Sequence, residues 1–277
     1  MLTPPPPDPA HPDRVLVMGV VNVTPDSFSD GGRYSSTEAA IAHGRALAAQ
    51  GADIIDVGGE ATGPRSTPVS TQDELSRVLP VVEALAREGL RVSIDTTKAQ
   101  VAEAALAAGA TIVNDVSGGV FDPRIGEVLA ASQATYICGH LRGGSIAEVF
   151  AREAKEPITF DDVVFELQAR LEALPGAVVA RTWVDPGIGF GKPWELNLEL
   201  CVAAHRIGVA LDRPVVIGPS RKRFLRNLLD PDPPPTEADL DRATVAVCAR
   251  ALEGGPLVLR VHNVTLLESA LSAYNNE

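Results

Sequence analysis

Aromatic side chains make up only 4% of the 277 residues, and cysteine occurs three times. The first shortage excludes a core of stacked rings. With hydrophobic residues at 45%, the interior must be built from Val, Leu, Ile and Ala, as in parallel strands covered on both faces. The cysteines, Cys138, Cys201 and Cys248, are odd in number and widely spaced among apolar neighbours. They form no disulfide framework and no zinc spacing, and read as reduced, buried thiols of a cytoplasmic protein. No run approaches the roughly 18 apolar residues that span a bilayer. The opening MLTPPPPDPAHPDR lacks a basic start, an apolar stretch and an A-x-A site, so no secretory leader is expected. The sequons at Asn22 and Asn263 therefore read as something other than glycosylation sites. Basic residues are short too: 24 Lys and Arg against 36 Asp and Glu leave a net charge of −12. Long-range repulsion then opposes nucleic acid and anionic membrane as partners, and any anionic ligand must be held locally.

What is present is a rhythm. Eight short apolar runs (VLVMGVV, DIIDVGG, RVSIDT, TIVNDVSGG, ATYICGH, RTWVDPG, PVVIGPS and LVLRVHN) alternate with longer stretches of helical spacing, several closing on Gly. Parallel strands need crossovers, so the alternation predicts an α/β fold, a (β/α)8 TIM barrel with its site at the C-terminal ends of the strands. A doubly wound open sheet is the structural alternative. Residues 1–13 are expected as a disordered Pro-rich tail and 14–277 as the barrel domain. GGSIAEVFAREAKEPIT is expected as a loop after the fifth strand, and DPDPPPTEAD as a surface loop. Nearly every strand ends in polar residues. In a barrel, Asn22, Asp56, Asp95, Asn114, His140, Asp185, Lys222, Arg260 and His262 would share one mouth.

MGVVNVTPDSFSDGG, IDVGGEATGP, VSIDT, VNDVSGG, DPGIGFGK, GPSRKRFL and LRVHNV, in that order, resemble the dihydropteroate synthase family over nearly the whole chain. The resemblance implies condensation of 6-hydroxymethyl-7,8-dihydropterin diphosphate with 4-aminobenzoate, release of diphosphate, Mg2+ as cofactor and a homodimer. Chemistry supports the assignment residue by residue. A pterin edge carries N–H donors and ring acceptors. Asp185 suits the donors, Asn114 donates and accepts, and Lys222 brings a cation to the acceptor side. Asp95 would stabilise positive charge developing on the ring. Arg260 and His262 alternate along the last strand, which puts them on one face, toward the departing diphosphate. In the family an Asn22 side-chain oxygen ligates Mg2+, as suits a hard cation that keeps diphosphate oxygens and water. Thr62 joins the diphosphate set. Phe28, Asp30, Pro64, Arg65 and Ser220 are the candidates around 4-aminobenzoate, with VNVTPDSFSDGG as a mobile lid.

Three positions depart from the family pattern. The second loop reads E-A-T-G-P-R-S where E-S-T-R-P-G is usual, so Gly63 replaces an arginine and Arg65 stands two residues on. Gly139 replaces a methionine before His140, and Asn263 replaces the aspartate of R-x-H-D. A catalytically weak or inactive paralogue that binds pterin is one alternative. A pterin-dependent methyltransferase is another, although it has no need of the SRK and R-V-H ends.

Overall fold

The computed structural model describes residues 6–8, 10–24, 32–152 and 157–274. Eight parallel strands run in the order β6-β5-β4-β3-β2-β1-β8-β7: β1 (Leu16–Asn22), β2 (Ile54–Gly58), β3 (Val92–Asp95), β4 (Ile112–Asp115), β5 (Thr135–Gly139), β6 (Thr182–Asp185), β7 (Val216–Ile217) and β8 (Val258–Val261). The parallel bridge Val184↔Val215 joins the two ends of that list, with Val184 N donating to Pro214 O at 2.9 Å. The sheet thereby curls into a nearly closed barrel.

Strand periodicity sorts the side chains. One set, Leu16, Met18, Ile54, Ile112, Ile137, Trp183, Val216 and Val258, packs as a buried cluster inside the barrel at the N-terminal ends of the strands. The alternate set, including Val17, Val21, Ile55, Val57, Ile94 and Val113, packs outward against the helices. Each buried aliphatic chain contributes about 1.5–3 kcal/mol. Two residues above each inner apolar position the chain can present a polar group to the mouth, as Ile54 and Asp56, Ile112 and Asn114, Trp183 and Asp185, and Val258 and Arg260 do.

The outer layer comprises α1 (Gly32–Ala49), α2 (Thr71–Arg87), α3 (Ala99–Ala107), α4 (Ile125–Ala130), α5 (Ile146–Arg152), α6 (Phe160–Glu172), α7 (Gly176–Val179), α8 (Trp194–Val202), α9 (Ala204–Leu211), α10 (Glu237–Leu252) and α11 (Val264–Tyr274). Caps written in the sequence start several of them. Ser70 accepts from Asp73 N at 3.1 Å, and Thr159 with Asp162 and Thr236 with Asp239 form capping boxes. The DPDPPPTEAD segment, expected as a surface loop throughout, is loop only as far as the Thr236 cap; its last three residues, Glu237 to Asp239, form the first turn of α10. GGSIAEVFAREAKEPIT, expected as a loop, contains α5. Ser145 caps it, Gly144 N donates to Glu148 Oε2 at 2.8 Å, and buried Val149 seats it against Val116, Leu141 and Phe190. Seven helical residues are too few for periodicity to separate from loop. At the opposite end, His11 N and Arg14 N donate to Asp8 O and His11 O, each at 3.0 Å, and Arg14 pairs with Asp53.

Candidate functional site

A cavity of about 320 Å³ opens at the C-terminal ends of the strands, lined by Asn22, Thr62, Asp95, Ser220, Lys222, Arg260 and His262 among others. Its floor is a carboxylate–guanidinium lattice. Arg260 Nε donates to Asp56 Oδ2 and Arg260 Nη2 to Asp95 Oδ2, both at 2.6 Å. Asn114 Nδ2 also donates to Asp56 Oδ2, at 3.1 Å. An amide N–H of Asn114 is thus committed to Asp56, and its carbonyl oxygen remains as an acceptor. Burial lowers the affinity of Arg260 for its proton, but Asp56 and Asp95 outweigh that and hold the guanidinium above its ordinary pKa. Burial raises the Asp95 carboxyl above the usual carboxylate range, with Arg260 as the main opposing influence.

Asp185 ends β6, with Oδ1 accepting from Gly187 N at 2.7 Å. One oxygen is therefore fixed in the turn and the other remains for a ligand. Burial raises its pKa, while the Gly187 N–H, Lys222 and Arg260 oppose the rise. Lys222 lies with Nζ 4.3 Å from the centroid of the Phe190 ring. Burial and the neighbouring Arg260 pull its pKa down to about 8, against Asp185 and Asp95. Asp185, Lys222 and Arg260 accordingly converge on one region. On the far wall Ser220 Oγ meets His262 Nδ1 at 2.9 Å and accepts from His262 N at 3.2 Å. Burial, then the cations Arg260, Arg221 and Lys222, lower the His262 pKa to about 4, so the ring is neutral at neutral pH.

A second cavity, about 340 Å³, adjoins the first through Glu60, Thr62 and Asp95 and takes Pro64, Ser66 and Phe121 in its lining. Pro64 lies there rather than in the first cavity. Arg65 is exposed and lines neither. Phe28 and Asp30 fall outside the described residues. His140 does not join the mouth. Gly139 takes the inward position of β5, so the next side chain points to α6, where His140 Nε2 meets Glu166 Oε2 at 2.9 Å. Burial, with Lys192 nearby, lowers its pKa to about 3.

The three departures have local explanations. At Gly139 an added Cβ would meet the Val116 carbonyl at 2.5 Å, so the main chain after β4 fills the space a larger residue would need. Asn263 Oδ1 accepts from Leu266 N at 3.1 Å, capping α11, and Asn263 Nδ2 donates to Asp241 Oδ2 at 3.1 Å. Asp241 in turn holds Arg221 through Nε at 2.8 Å. At Gly63 nothing lies within 4 Å of an added Cβ.

Several residues escaped the sequence reading in their role or their place. Asp56 is placed at the mouth by its position at a strand end, but without a role, and its hub role needs Arg260, 204 residues away. Phe190 sits between two glycines in DPGIGFGK. Lys192 closes the same loop by donating to Gly187 O at 2.8 Å, His140 O at 3.1 Å and Phe190 O at 3.2 Å.

Fold and mouth together define a barrel enzyme with a polar, charge-lined site at the C-terminal ends of its strands. The chain belongs to the pterin binding enzyme family, whose model matches residues 18–262, and within it groups with the dihydropteroate synthases. The Mycobacterium leprae dihydropteroate synthase is 42% identical over 270 residues, covering 93% of this chain and 91% of the relative. That of Staphylococcus haemolyticus is 38% identical over 254 residues, 91% of each. The chain spans about half, 48%, of the mitochondrial folate synthesis bifunctional protein of Arabidopsis thaliana, at 39% identity. The Xanthomonas albilineans dihydropteroate synthase with 4-aminobenzoic acid superposes with a TM-score of 0.85 at 37% identity, covering 95% of this chain and 93% of that one. The same enzyme in complex with 7,8-dihydropteroate gives 0.81 at 36%, covering 95% and 94%. Among the described residues, no helix is long and apolar enough to cross a membrane.

Proposed function

We propose that the chain is a dihydropteroate synthase, joining 6-hydroxymethyl-7,8-dihydropterin diphosphate to 4-aminobenzoate and releasing diphosphate. The observation that carries this reading is the Asp56–Arg260–Asp95 lattice, with Asn114 bonded to Asp56, Asp185 in the field of Lys222 and Arg260, and Lys222 and His262 lining the same cavity as Asp95 and Arg260. The free oxygen of Asp185 and the carbonyl of Asn114 accept from the pterin amino and ring N–H groups, and Lys222 donates to the acceptor edge. Heterolysis of the methylene–oxygen bond sends its electron pair to diphosphate, leaving a cation delocalised into the pterin. Asp95 and Asp185 support that charge, while Arg260, Thr62 and the neutral His262 hold the leaving group. The amine of 4-aminobenzoate is uncharged at neutral pH and attacks the methylene, then loses a proton to solvent. A strong general base is not required. For 4-aminobenzoate, Ser220 lines the first cavity and Pro64 the second, which meet at Glu60, Thr62 and Asp95, so the arylamine would lie across that border.

The residues present at this site fit a magnesium ion that takes few protein ligands. Among the described residues no group of three or more His, Cys, Asp or Glu side chains could hold a metal ion. Glu60 is committed to Lys98 and to Val69 N. Asn22 therefore offers one protein oxygen, enough for Mg2+ that keeps water and diphosphate oxygens. Bound there, the ion would neutralise charge on the departing diphosphate. We also read the protein as a cytoplasmic homodimer. The three buried free thiols support the compartment, and light scattering on the purified protein checks the oligomeric state.

The deciding experiment measures diphosphate release from dihydropterin diphosphate with and without 4-aminobenzoate and Mg2+. Release that requires both is expected. Tight pterin binding with no release would overturn the assignment in favour of an inactive paralogue.

A further inference from the structure

Lys98 has no place in the substrate-facing sets above, yet it joins two loops of the mouth. Its Nζ contacts Glu60 Oε2, and Glu74 Oε2 at 2.5 Å. It stands three residues after Asp95, and its N–H donates to Thr96 Oγ1 at 3.2 Å, so its position is fixed in the turn that follows β3. Glu60 lies just beyond β2. Its second oxygen accepts from Val69 N at 3.0 Å, so a single carboxylate closes the chain from 60 to 69 into a loop. Arg77 Nη1, reaching from α2 to Gly59 O at 2.8 Å, fixes the same root. Inside the loop a tight turn, Ser66 N and Oγ on Gly63 O at 3.0 and 2.7 Å, presents Gly63, Pro64 and Arg65 to solvent. Thr62, at the border of the two cavities, therefore hangs from Glu60.

Glu74 explains why an ammonium is needed at this point. Its side chain is only 1% exposed, and its Oε1 has no hydrogen-bond partner. A buried carboxylate so placed depends on a cation, and the Glu74 contact pins Lys98 from the helix side. Glu60, with 22% of its side chain exposed, is the partner free to move. Burial works against the charge on Lys98, but its hydrogen bonds to Glu60 and Glu74 outweigh that and raise its pKa, so the cation persists throughout the neutral range.

We propose that Lys98 is a positioning residue: by holding Glu60, its ammonium fixes the 60–69 loop over the diphosphate cavity in register with Asp95 on the neighbouring strand. The kinetic consequence rests on the synthase reading given above; the mechanical one does not. Glu60→Gln is the sharpest probe, because the amide oxygen still serves Val69 N and Lys98 keeps Glu74. Only the link between them is weakened. In the native protein, trypsin cleavage at the exposed Arg65–Ser66 bond, followed by mass spectrometry, is expected to accelerate about tenfold, as the loop opens locally more often. KM for dihydropterin diphosphate is expected to rise about tenfold with kcat changed less than about twofold, the pattern of lost ground-state positioning. Lys98→Met should show the same two changes with a lowered Tm, and Lys98→Arg should restore both toward wild type. Should Lys98→Met fail to fold, Glu60→Gln carries the test. A lowered Tm with cleavage rate and KM unmoved would reduce Lys98 to a structural ion pair and overturn the proposal. In a protein without synthase activity the cleavage rate alone decides, and an unchanged rate in Glu60→Gln overturns the proposal.

Discussion

Oδ2 of Asp56 accepts from two donors at once, Arg260 Nε and Asn114 Nδ2, while Oδ1 is buried without a partner. Two site residues thus take their orientation from one atom at the foot of the cavity. Asp56→Asn lets an amide group face those donors and weakens the charge holding Arg260. A fall in kcat/KM for dihydropterin diphosphate of about 10- to 100-fold is expected, as for other groups that orient ligating side chains. Steady-state kinetics on folded protein checks it, and an unchanged value removes Asp56 from the machinery. Lys222 supplies a pH signature. Its pKa near 8 means that the cation is present below that value and lost above it. Thus kcat/KM should decline as pH rises through about 8. Lys222→Arg, which stays charged, should abolish that alkaline limb whatever its effect on the plateau. Gly63 provides the opposite kind of test. Because a Cβ there meets open space, Gly63→Arg should change stability by no more than about 0.5 kcal/mol, measured as the urea midpoint.

At the scale of elements, the βα loops hold the site by close backbone contacts that only particular residues allow. Gly187 has φ +70, and a Cβ there would lie 1.7 Å from His140 O. Gly139 is pressed against the Val116 main chain, and Arg170 contacts the carbonyls of Gly139 and Leu141. These loops form a packed collar around the slot and leave no room for the methionine usual at position 139. Gly139→Met, which restores the family residue, is therefore expected to destabilise the protein by about 3 kcal/mol or more through overpacking against backbone. Thermal denaturation decides the matter. A Tm equal to wild type would mean that the β4 loop yields and the collar is soft.

For the whole molecule, the seams of the barrel are unequal. β1 and β2 pair over five residues in register, whereas β6 and the β7 segment meet at one bridge, and β7 has two residues. Opening should begin at that seam, since local stability follows the number of backbone bonds and packed contacts to be broken. Hydrogen exchange followed by mass spectrometry should find peptides covering 213–218 deuterating before those covering 16–22 or 54–58. The reverse order would place the weak seam elsewhere. Asp185 and Lys222 flank this seam, so the same opening is expected to loosen the pterin site proposed above.

Eight apolar runs with interposed helical spacing determined a parallel α/β sheet by themselves, because each strand carries its own instruction to bury both faces, and the Val184↔Val215 bridge decided for the barrel over an open sheet. They also determined the polar mouth, because a residue at a strand's C-terminal end has only one place to go in a closed parallel sheet. Asp185, Lys222, Arg260 and His262 were legible on that ground. Only the tertiary structure decided which of these groups touch. Arg260 turns to Asp56 and Asp95, His140 turns outward because Gly139 holds the inward position, and Lys98 reaches Glu60 and Glu74 from the next loop. Pairings of this kind join residues from about 24 to 204 positions apart. Local periodicity fixes direction along a strand, but it says nothing about distance between strands; closure of the barrel supplies that distance.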